Sequence, residues 1–337
     1  MNSLYSFTIS ELEDLFLSLG YKKFNAGQVY DWVYKKLVLD FSLMSNISKD
    51  LKTYLENNLS LELPNIIVKE ESSDSTIKYL FEFSDESKVE GVLMHHPYGT
   101  SFCISSEVGC SMGCTFCASG LKKKTRDLKS SEMVSMIMKA MIDSNERISH
   151  IVIMGTGEPL DNYDNVVKFI RIINAPKGLE IGIRHITLST CGLVPKIYDL
   201  AEENLGINLA ISLHAPTNEL RSTLMPINKA YKIDEIIEAV KYYFSKTGRR
   251  ITFEYLLLEG INDSRLYANK LADLIKNLNA YVNLIPYNHV DEFSYKTSNN
   301  SNEFYDELKK RGINVTLRHK MGDDIDAACG QLRSKVK

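Results

Sequence analysis

Over roughly the first 60 residues, apolar side chains recur at intervals of three and four, the spacing of short amphipathic helices. Leu12, Leu15, Phe16 and Leu19 make one stripe, with Ser10 placed to cap its start and Gly20 to stop it. Val29, Trp32 and Val33 make a second that ends at Lys35 and Lys36, and Ile47 to Leu59 a third. Trp32, the only tryptophan, reads as a core anchor of this small helical unit. From Leu61 the period shortens to two. Pro64–Lys69, Ile77–Phe83 and Val89–Met94 alternate as strands do, with the turn-rich stretches Ser72–Ser75 and Ser84–Ser87 between them. Glu90 lies on the last of these strands, and alternation alone points it at solvent.

From Thr100 onward strands and helices take turns. The predicted strands are Ser101–Ser106, His150–Gly155, Arg184–Thr190, Asn208–His214, Thr252–Leu258, Tyr281–Tyr287 and Asn314–Arg318. Between them lie helical patterns over Ser131–Met141, Tyr163–Ile173, Pro195–Glu203, Asp234–Phe244, Leu266–Leu278 and Glu303–Arg311. Repeated βα units with mostly apolar strands predict an α/β fold with a parallel sheet under helices. About six crossover helices fit an incomplete (βα)6 TIM-like barrel better than an eightfold one, although a doubly wound sheet shows the same alternation. The organisation expected is a helical accessory domain over 1–60, a small antiparallel sheet linker over 61–95, and a core barrel over 96–337.

Composition narrows the partners. A chain of 337 residues with 44% hydrophobic side chains can bury a large core. Net charge is −3, so any contact with nucleic acid must come from local patches. Three basic clusters qualify: Lys122–Arg126, Arg249–Arg250 and Arg318–Lys320. The first is favoured because it follows the cysteine loop described next. Met1–Gly20 has no secretory pattern, and no apolar run approaches the roughly 18 residues of a membrane span. Clustered thiols point to a reducing cytoplasm, and nothing calls for more than a monomer.

Three of the six cysteines, Cys110, Cys114 and Cys117, stand at C-x3-C-x2-C spacing. Structural zinc wants four closed ligands. Three thiolates on a cubane iron–sulfur cluster leave one iron open, an arrangement that resembles the radical S-adenosylmethionine (radical SAM) superfamily. A zinc knuckle completed by a distant histidine remains as the alternative. Polar groups then fall at successive strand ends, where a barrel gathers its ligands: Glu158 in Met154-Gly-Thr-Gly-Glu-Pro-Leu160, Ser189, Ser212, His214 and Asn288. Two further cysteines stand apart. Cys103 precedes the loop, and Cys329 lies in an acidic, small-residue stretch where a thiolate could act as nucleophile. Cys191 reads as a small buried hydrophobe.

Taken together, Cys103 to Cys117, Met154–Leu160, Leu188–Gly192, Ile211–Pro216, Leu224–Asn228 and Asp324–Leu332 resemble, in order and over essentially the whole chain, the RlmN/Cfr family of radical SAM RNA methyltransferases. The resemblance implies a 4Fe–4S cluster on Cys110, Cys114 and Cys117. It implies S-adenosylmethionine, two molecules per turnover, bound at Gly157, Glu158, Ser189, Ser212, Leu213, His214 and Asn288. Cys329 would accept a methyl group as S-methylcysteine, Cys103 would resolve the covalent enzyme–RNA adduct through a disulfide with Cys329, and Glu90 would accept a proton. That last role reverses the solvent-facing reading of Glu90. The carbon methylated is inert to direct transfer from a sulfonium, which is why the methyl is first parked on a thiol.

Leu284–Tyr287, Leu188–Gly192 and Gly322–Asp324 side with RlmN, which methylates C2 of an adenine in 23S rRNA and of the tRNA adenosine 3′ to the anticodon. Cfr methylates C8 of the same rRNA adenine. The implied partners are these RNAs and an electron donor such as flavodoxin or ferredoxin. Two departures from the family pattern are His289, where proline is common, and Leu317–Gly322 before the Cys329 motif. A reading from another class is a non-catalytic, zinc-stabilised RNA-binding protein.

Overall fold

The computed structural model describes residues 1–318 and 321–332. Helix α1 (Ile9–Ser18) begins at Thr8 rather than Ser10. Thr8 is extended and its hydroxyl accepts from Glu11 N–H, while the Glu11 carboxylate accepts from Thr8 N–H, a reciprocal capping box. Gly20, at φ +83°, ends the segment as expected. Helices α2 (Phe24–Tyr30) and α3 (Lys49–Asn58) complete the unit, and a two-residue parallel pairing of Asn2–Ser3 with Leu59–Ser60 ties its ends together. The aromatic core here is Tyr5, Phe16, Tyr30 and Tyr34. Trp32 is only half-buried: Asn46 accepts from its Nε1–H and the Lys36 ammonium lies 3.5 Å over its ring. Lys35–Glu180 and Lys168–Glu11 pairs tie the unit to the main body.

The main body is one ten-stranded sheet. Strands β1 (Asn65–Glu71), β2 (Ile77–Glu82), β3 (Lys88–His96) and β4 (Gly99–Ile104) pair antiparallel in turn. From β4 on the pairing is parallel, through β5 (Ile148–Ile153), β6 (Ile186–Thr190), β7 (Asn208–Ser212), β8 (Ile251–Leu257), β9 (Ala280–Pro286) and β10 (Val315–Leu317). Spatial order follows chain order, so the antiparallel strands continue the barrel wall without a break. Helices α4 (Ser130–Ser144), α5 (Tyr163–Asn174), α6 (Val194–Glu202), α7 (Asn218–Leu224) with α8 (Ile233–Thr247), α9 (Arg265–Ile275) and α10 (Ser301–Lys310) make the six crossovers. Among the described residues β10 and β1 do not pair with each other, and the incomplete barrel stays open there.

Period-two alternation in the strands explains the hollow interior. Ile186 and Leu188 on β6 point out and are buried, while Thr187 and Ser189 point in. On β8 the inward positions are Thr252, Glu254 and Leu256, and on β9 Tyr281, Asn283 and Ile285. The outward side chains meet the apolar face of each helix: α5 buries Val166, Phe169, Ile170 and Ile173. Polar side chains alternate along the inward face with a few apolar ones such as Leu256 and Ile285, and cavities remain along the lumen.

The segment after β10 crosses the open seam. Asp324 accepts from Ser72 Oγ and from Ser73 N–H, Asp74 accepts from Gly322 N–H at 3.0 Å, and Lys78 donates to Ile325 O at 2.6 Å. The β1–β2 turn thus clasps a segment nearly 250 residues away.

Candidate active site

The cysteine loop follows β4 at the upper, C-terminal end of the barrel. Its shape depends on two glycines. Gly109, at φ +80°, passes so close to Lys123 that a Cβ would stand 2.3 Å from its carbonyl oxygen, and Gly113 is at φ +67°. Thr115 N–H donates to Leu224 O and Cys110 N–H to Lys122 O, both at 3.0 Å. Cys110, Cys114 and Cys117 line one cavity of about 160 Å³. Burial raises all three thiols, Cys110 to about 12, so a group that takes them as thiolates must supply positive charge. Among the described residues no three histidine, cysteine or acidic groups close on a single ion. A cubane places each cysteine on a different iron, so it does not require such closure.

Glu158, Ser189, Ser212 and His214 line the same cavity, while Asn288, the fifth strand-end residue, does not. The loop after β5 needs Gly157 at φ +107°, where a Cβ would stand 2.6 Å from Glu107 Cβ. Glu158 is buried, and its carboxylate accepts from Leu160 N–H (3.0 Å) and Cys191 N–H (2.7 Å), joining the β5 and β6 loops. Burial raises its pKa against these hydrogen bonds. The Ser189 and Ser212 hydroxyls are 3.3 Å apart. His214, at φ +56°, accepts from Leu256 N–H at Nδ1, so its proton sits on Nε2. Its ring meets Phe116 edge-on at 4.9 Å. Leu213 is fully buried and offers its backbone, not its side chain, to this end of the barrel.

A smaller cavity of about 50 Å³ adjoins the first, and Cys103, Asn288 and Arg318 line it. Cys329 borders both. The C-terminal segment reaches this place by hydrogen bonds to the cysteine loop: Ala118 N–H donates to Gly330 O (2.8 Å) and Ser119 Oγ to Leu332 O (2.8 Å). Asn288 Nδ2 donates to Cys329 O, leaving its buried Oδ1 with no partner among the described residues. An orphaned buried acceptor in the smaller cavity, adjoining a larger one rimmed by serines, a carboxylate and three thiols, fits a polar, cationic ligand beside a cluster. Cys103 and Cys329 are free thiols. Burial, and then the neighbouring Cys329, push Cys103 up to about 12.

Glu90 is buried at 3% exposure, not solvent-facing, because β3 is an interior strand covered on both faces. It shares the inward face with Val92, whose register partner is Cys103, and Lys78 lies 3.9 Å from its carboxylate.

Three charged residues of this region, Arg221, Glu254 and Glu107, escaped the sequence reading, and a fourth, Arg318, entered it only as a candidate RNA contact. Arg221 is fully buried and donates to Leu213 O (3.2 Å), Cys191 O (2.6 Å), Ser212 O (3.1 Å) and Asn228 Oδ1 (3.1 Å), locking the ends of β6 and β7; burial lowers its pKa to about 10. Arg318 Nη1 donates to Cys329 Sγ at 3.1 Å. Glu254, raised to about 7 by burial, accepts from Asn283 at 2.7 Å. Glu107 accepts from Glu158 N–H at 3.1 Å and is also pushed to about 7 by burial. For Arg221, Glu254 and Glu107 the one sequence signal is Thr217, which caps the helix bearing Arg221.

Half of the favoured basic cluster is committed to ion pairs, while Lys122 and Lys123 are exposed. Lys124 pairs with Glu107, Asp127 and Asp161 at 2.7–2.8 Å, and Arg126 pairs with Asp85 and Glu132. In the third cluster, His319 and Lys320 lie outside the described residues.

Residues 104–275 match the Radical SAM superfamily, and residues 2–61 the ribosomal RNA large subunit methyltransferase N-terminal domain. A probable dual-specificity RNA methyltransferase RlmN of Geobacillus kaustophilus is 53% identical, covering 99% of this chain and 93% of its own. Its counterpart in Spiroplasma citri is 51% identical, covering 99% and 98%. The crystal structure of a radical SAM methyltransferase from Sphaerobacter thermophilus superposes with a TM-score of 0.93 at 40% identity, covering 99% of this chain and all of that one.

Proposed function

The chain belongs to the RlmN family of radical SAM methyltransferases, and from that premise we propose that it methylates C2 of an adenine in 23S rRNA and of the adenosine 3′ to the anticodon in tRNA. The observation that carries the reading is the position of Cys329: it borders both the cavity of the three loop cysteines and the cavity of Cys103. Cys110, Cys114 and Cys117 would hold the 4Fe–4S cluster. Glu158, Ser189, Ser212, His214 and Asn288, with the backbone at Gly157 and Leu213, would hold S-adenosylmethionine. When bound, these groups supply one-electron chemistry able to take a hydrogen atom from a methyl group.

The chain's own residues divide the rest. Cys329 carries the methyl as a thioether and so holds the reacting carbon next to the donor cavity. Arg318, bonded to its sulfur, fixes the side chain between the two cavities. Once the base is attached through that carbon, Glu90 takes the ring proton. Cys103 then forms a transient disulfide with Cys329 as the carbon–sulfur bond breaks. The low-polarity surroundings that raise the Cys103 thiol keep it from reacting earlier. A flavodoxin- or ferredoxin-like donor supplies the electrons, and the setting is the cytoplasm, where the RNA substrates lie. Among the described residues no helix is long and apolar enough to cross a membrane.

Nucleoside mass spectrometry after reaction of the anaerobically reconstituted protein with ribosomal and transfer RNA tests the proposal. 2-Methyladenosine is expected. 8-Methyladenosine alone would move the chain to the Cfr chemistry, and no iron–sulfur absorbance with no S-adenosylmethionine cleavage would leave a zinc-stabilised binding protein.

A further inference from the structure

Below the upper cavity the barrel opens again, at the N-terminal ends of its strands, into a compartment of about 1090 Å³. One wall is a ladder of four aromatic rings. His96 stacks on Tyr98 (4.8 Å, 8°), Tyr98 meets His150 edge-on (5.1 Å, 68°), and His150 stacks on His185 (4.2 Å, 14°). Three of these rings are oriented from behind: Ser101 Oγ lies 2.9 Å from His96 Nε2, Ser149 Oγ 2.9 Å from His150 Nδ1, and Ser149 O 3.3 Å from His185 Nδ1. Tyr98 projects from the β3–β4 hairpin at 66% exposure, its turn held by Gly99 (φ +133°), where a Cβ would come within 2.4 Å of Ser149 Oγ. Burial lowers the pKa of both His96 and His150, with Arg318 and His95 adding to the effect at His96 and the neighbouring histidines at His150.

The rest of the lining is cationic. Four arginines line the compartment against one carboxylate, Glu254. Among the described residues Arg184, Arg249 and Arg250 have no acidic partner within ion-pair distance, unlike Lys124 and Arg126. Arg250 lies 4.6 Å over the Tyr281 ring, and Arg249 Nε is buried without a hydrogen-bond partner. In a chain of net charge −3 this is a local concentration of positive charge. Stacking rings together with arginines is the chemistry of a single-stranded nucleic-acid groove: rings take base faces and guanidinium groups take phosphates. The compartment abuts the Cys103–Cys329 cavity, with Met94, Met154 and Arg318 forming the boundary that both share.

We propose that the RNA strand flanking the target adenosine is held in this lower compartment, its bases stacked on Tyr98 and His150 and its phosphates on Arg184, Arg249 and Arg250, so that the adenosine approaches Cys329 from the N-terminal end of the barrel. The proposal rests on the RNA methyltransferase reading above and adds the direction of approach and the residues that grip the strand. It also moves RNA contact from the Lys122–Arg126 rim to the opposite end of the barrel.

The experiment uses the reconstituted full chain and an RNA hairpin with an adenosine in its single-stranded loop, measuring the KM for RNA, the salt dependence of binding and, without RNA, methylation of Cys329 by mass spectrometry. Arg249→Ala with Arg250→Ala should raise the KM about tenfold or more and reduce the salt slope by about one to two. His150→Ala should raise the KM about tenfold with little change in slope, and His150→Phe should restore it, since a ring face is all that is required. Methylation of Cys329 without RNA reports that each variant is folded and uses S-adenosylmethionine. Wild-type KM and slope in the arginine and His150→Ala variants overturn the proposal. Failure of the wild-type protein to methylate any RNA overturns instead the reading on which it rests.

Discussion

His214 stands at φ +56° with Nδ1 taken by Leu256 N–H, and burial together with the Arg221 guanidinium lowers its pKa to about 3. A histidine held neutral in the fold sets a sign for stability against pH. Between about pH 6.5 and 3 the unfolded chain binds a proton at this residue and the folded chain does not, so stability falls as pH falls through that window. The slope from one such group is at most about 1.4 kcal/mol per pH unit. Glu107 and Glu254, raised to about 7, act in the opposite sense: the fold keeps their protons longer than the unfolded chain, so their contribution is lost as pH rises from about 4.5 to 7. Comparing wild type with His214→Asn isolates the histidine, because asparagine tolerates the left-handed backbone and the two carboxyls are common to both. Taken from pH 7 to 5 in urea titrations, the wild type should lose about 2 kcal/mol more than the variant. Equal losses would mean that the imidazole is not held neutral.

At the scale of elements, the barrel strands and their helices match the sequence pattern closely, because each strand alternates and each helix has one broad apolar face. The helix that carries Arg221 does not have such a face. It is seven residues long, of composition Asn-Glu-Leu-Arg-Ser-Thr-Leu, and reads as loop. Yet its guanidinium holds the β6 and β7 ends in register with the cysteine loop. The loops after the strands depend just as much on backbone shape. Gly157 combines a positive φ with a Cβ position 2.6 Å from Glu107 Cβ, whereas Gly248, which ends α8 at φ +64°, has nothing within 4 Å. Gly248→Ala should therefore cost about 1 kcal/mol, from backbone strain alone. Gly157→Ala should cost about 3 kcal/mol and weaken S-adenosylmethionine binding, because Glu107 and the Glu158 loop must separate. Unfolding midpoints and ligand titration of the two variants check this. A matched pair of stabilities would show that the close approach is not felt.

At the scale of the molecule, the open seam between β10 and β1 is where distant parts of the chain cooperate. The β1–β2 turn grips the C-terminal segment through Asp74, Ser72 and Lys78, while the cysteine loop holds it through Ala118 and Ser119. Cys329 is thus suspended between two anchors. Asp74 is held down to about pKa 2 by hydrogen bonds from Thr76 and Gly322 that outweigh its desolvation, so the clasp is charged throughout the neutral range. Asp74→Ala should loosen only the outer anchor. The rate of Cys329 alkylation should rise several-fold, the buried Cys103 should remain unreactive, and global stability should fall by about 1 kcal/mol. Unchanged Cys329 labelling would mean that the inner anchor alone positions the thiol.

Much of this was legible in the chain itself, since periodicity and spacing are local properties. The βα alternation, the three-cysteine loop and the polar residues at strand ends are all set by neighbours in sequence. Glu90 was misplaced by alternation alone because that reading assumes a strand with one wet face, whereas packing here covers both. Trp32 was overrated because residue type does not report which side of a helix meets the core. Within Lys122–Arg126, how open a cation is to RNA depends on which carboxylates the fold brings to it: Glu107, Asp161 and Asp85 arrive from other segments to pair with Lys124 and Arg126, while Lys122 and Lys123 stay exposed. The ring ladder of His96, Tyr98, His150 and His185 had no sequence signature, since its members come from three separate segments and meet only when the strands pair. Sequence alone determined the βα order, the spacing of the three loop cysteines and which polar residues stand at the strand ends. Tertiary structure decided which of them share a cavity, because burial, charge pairing and stacking are made between residues that are far apart along the chain.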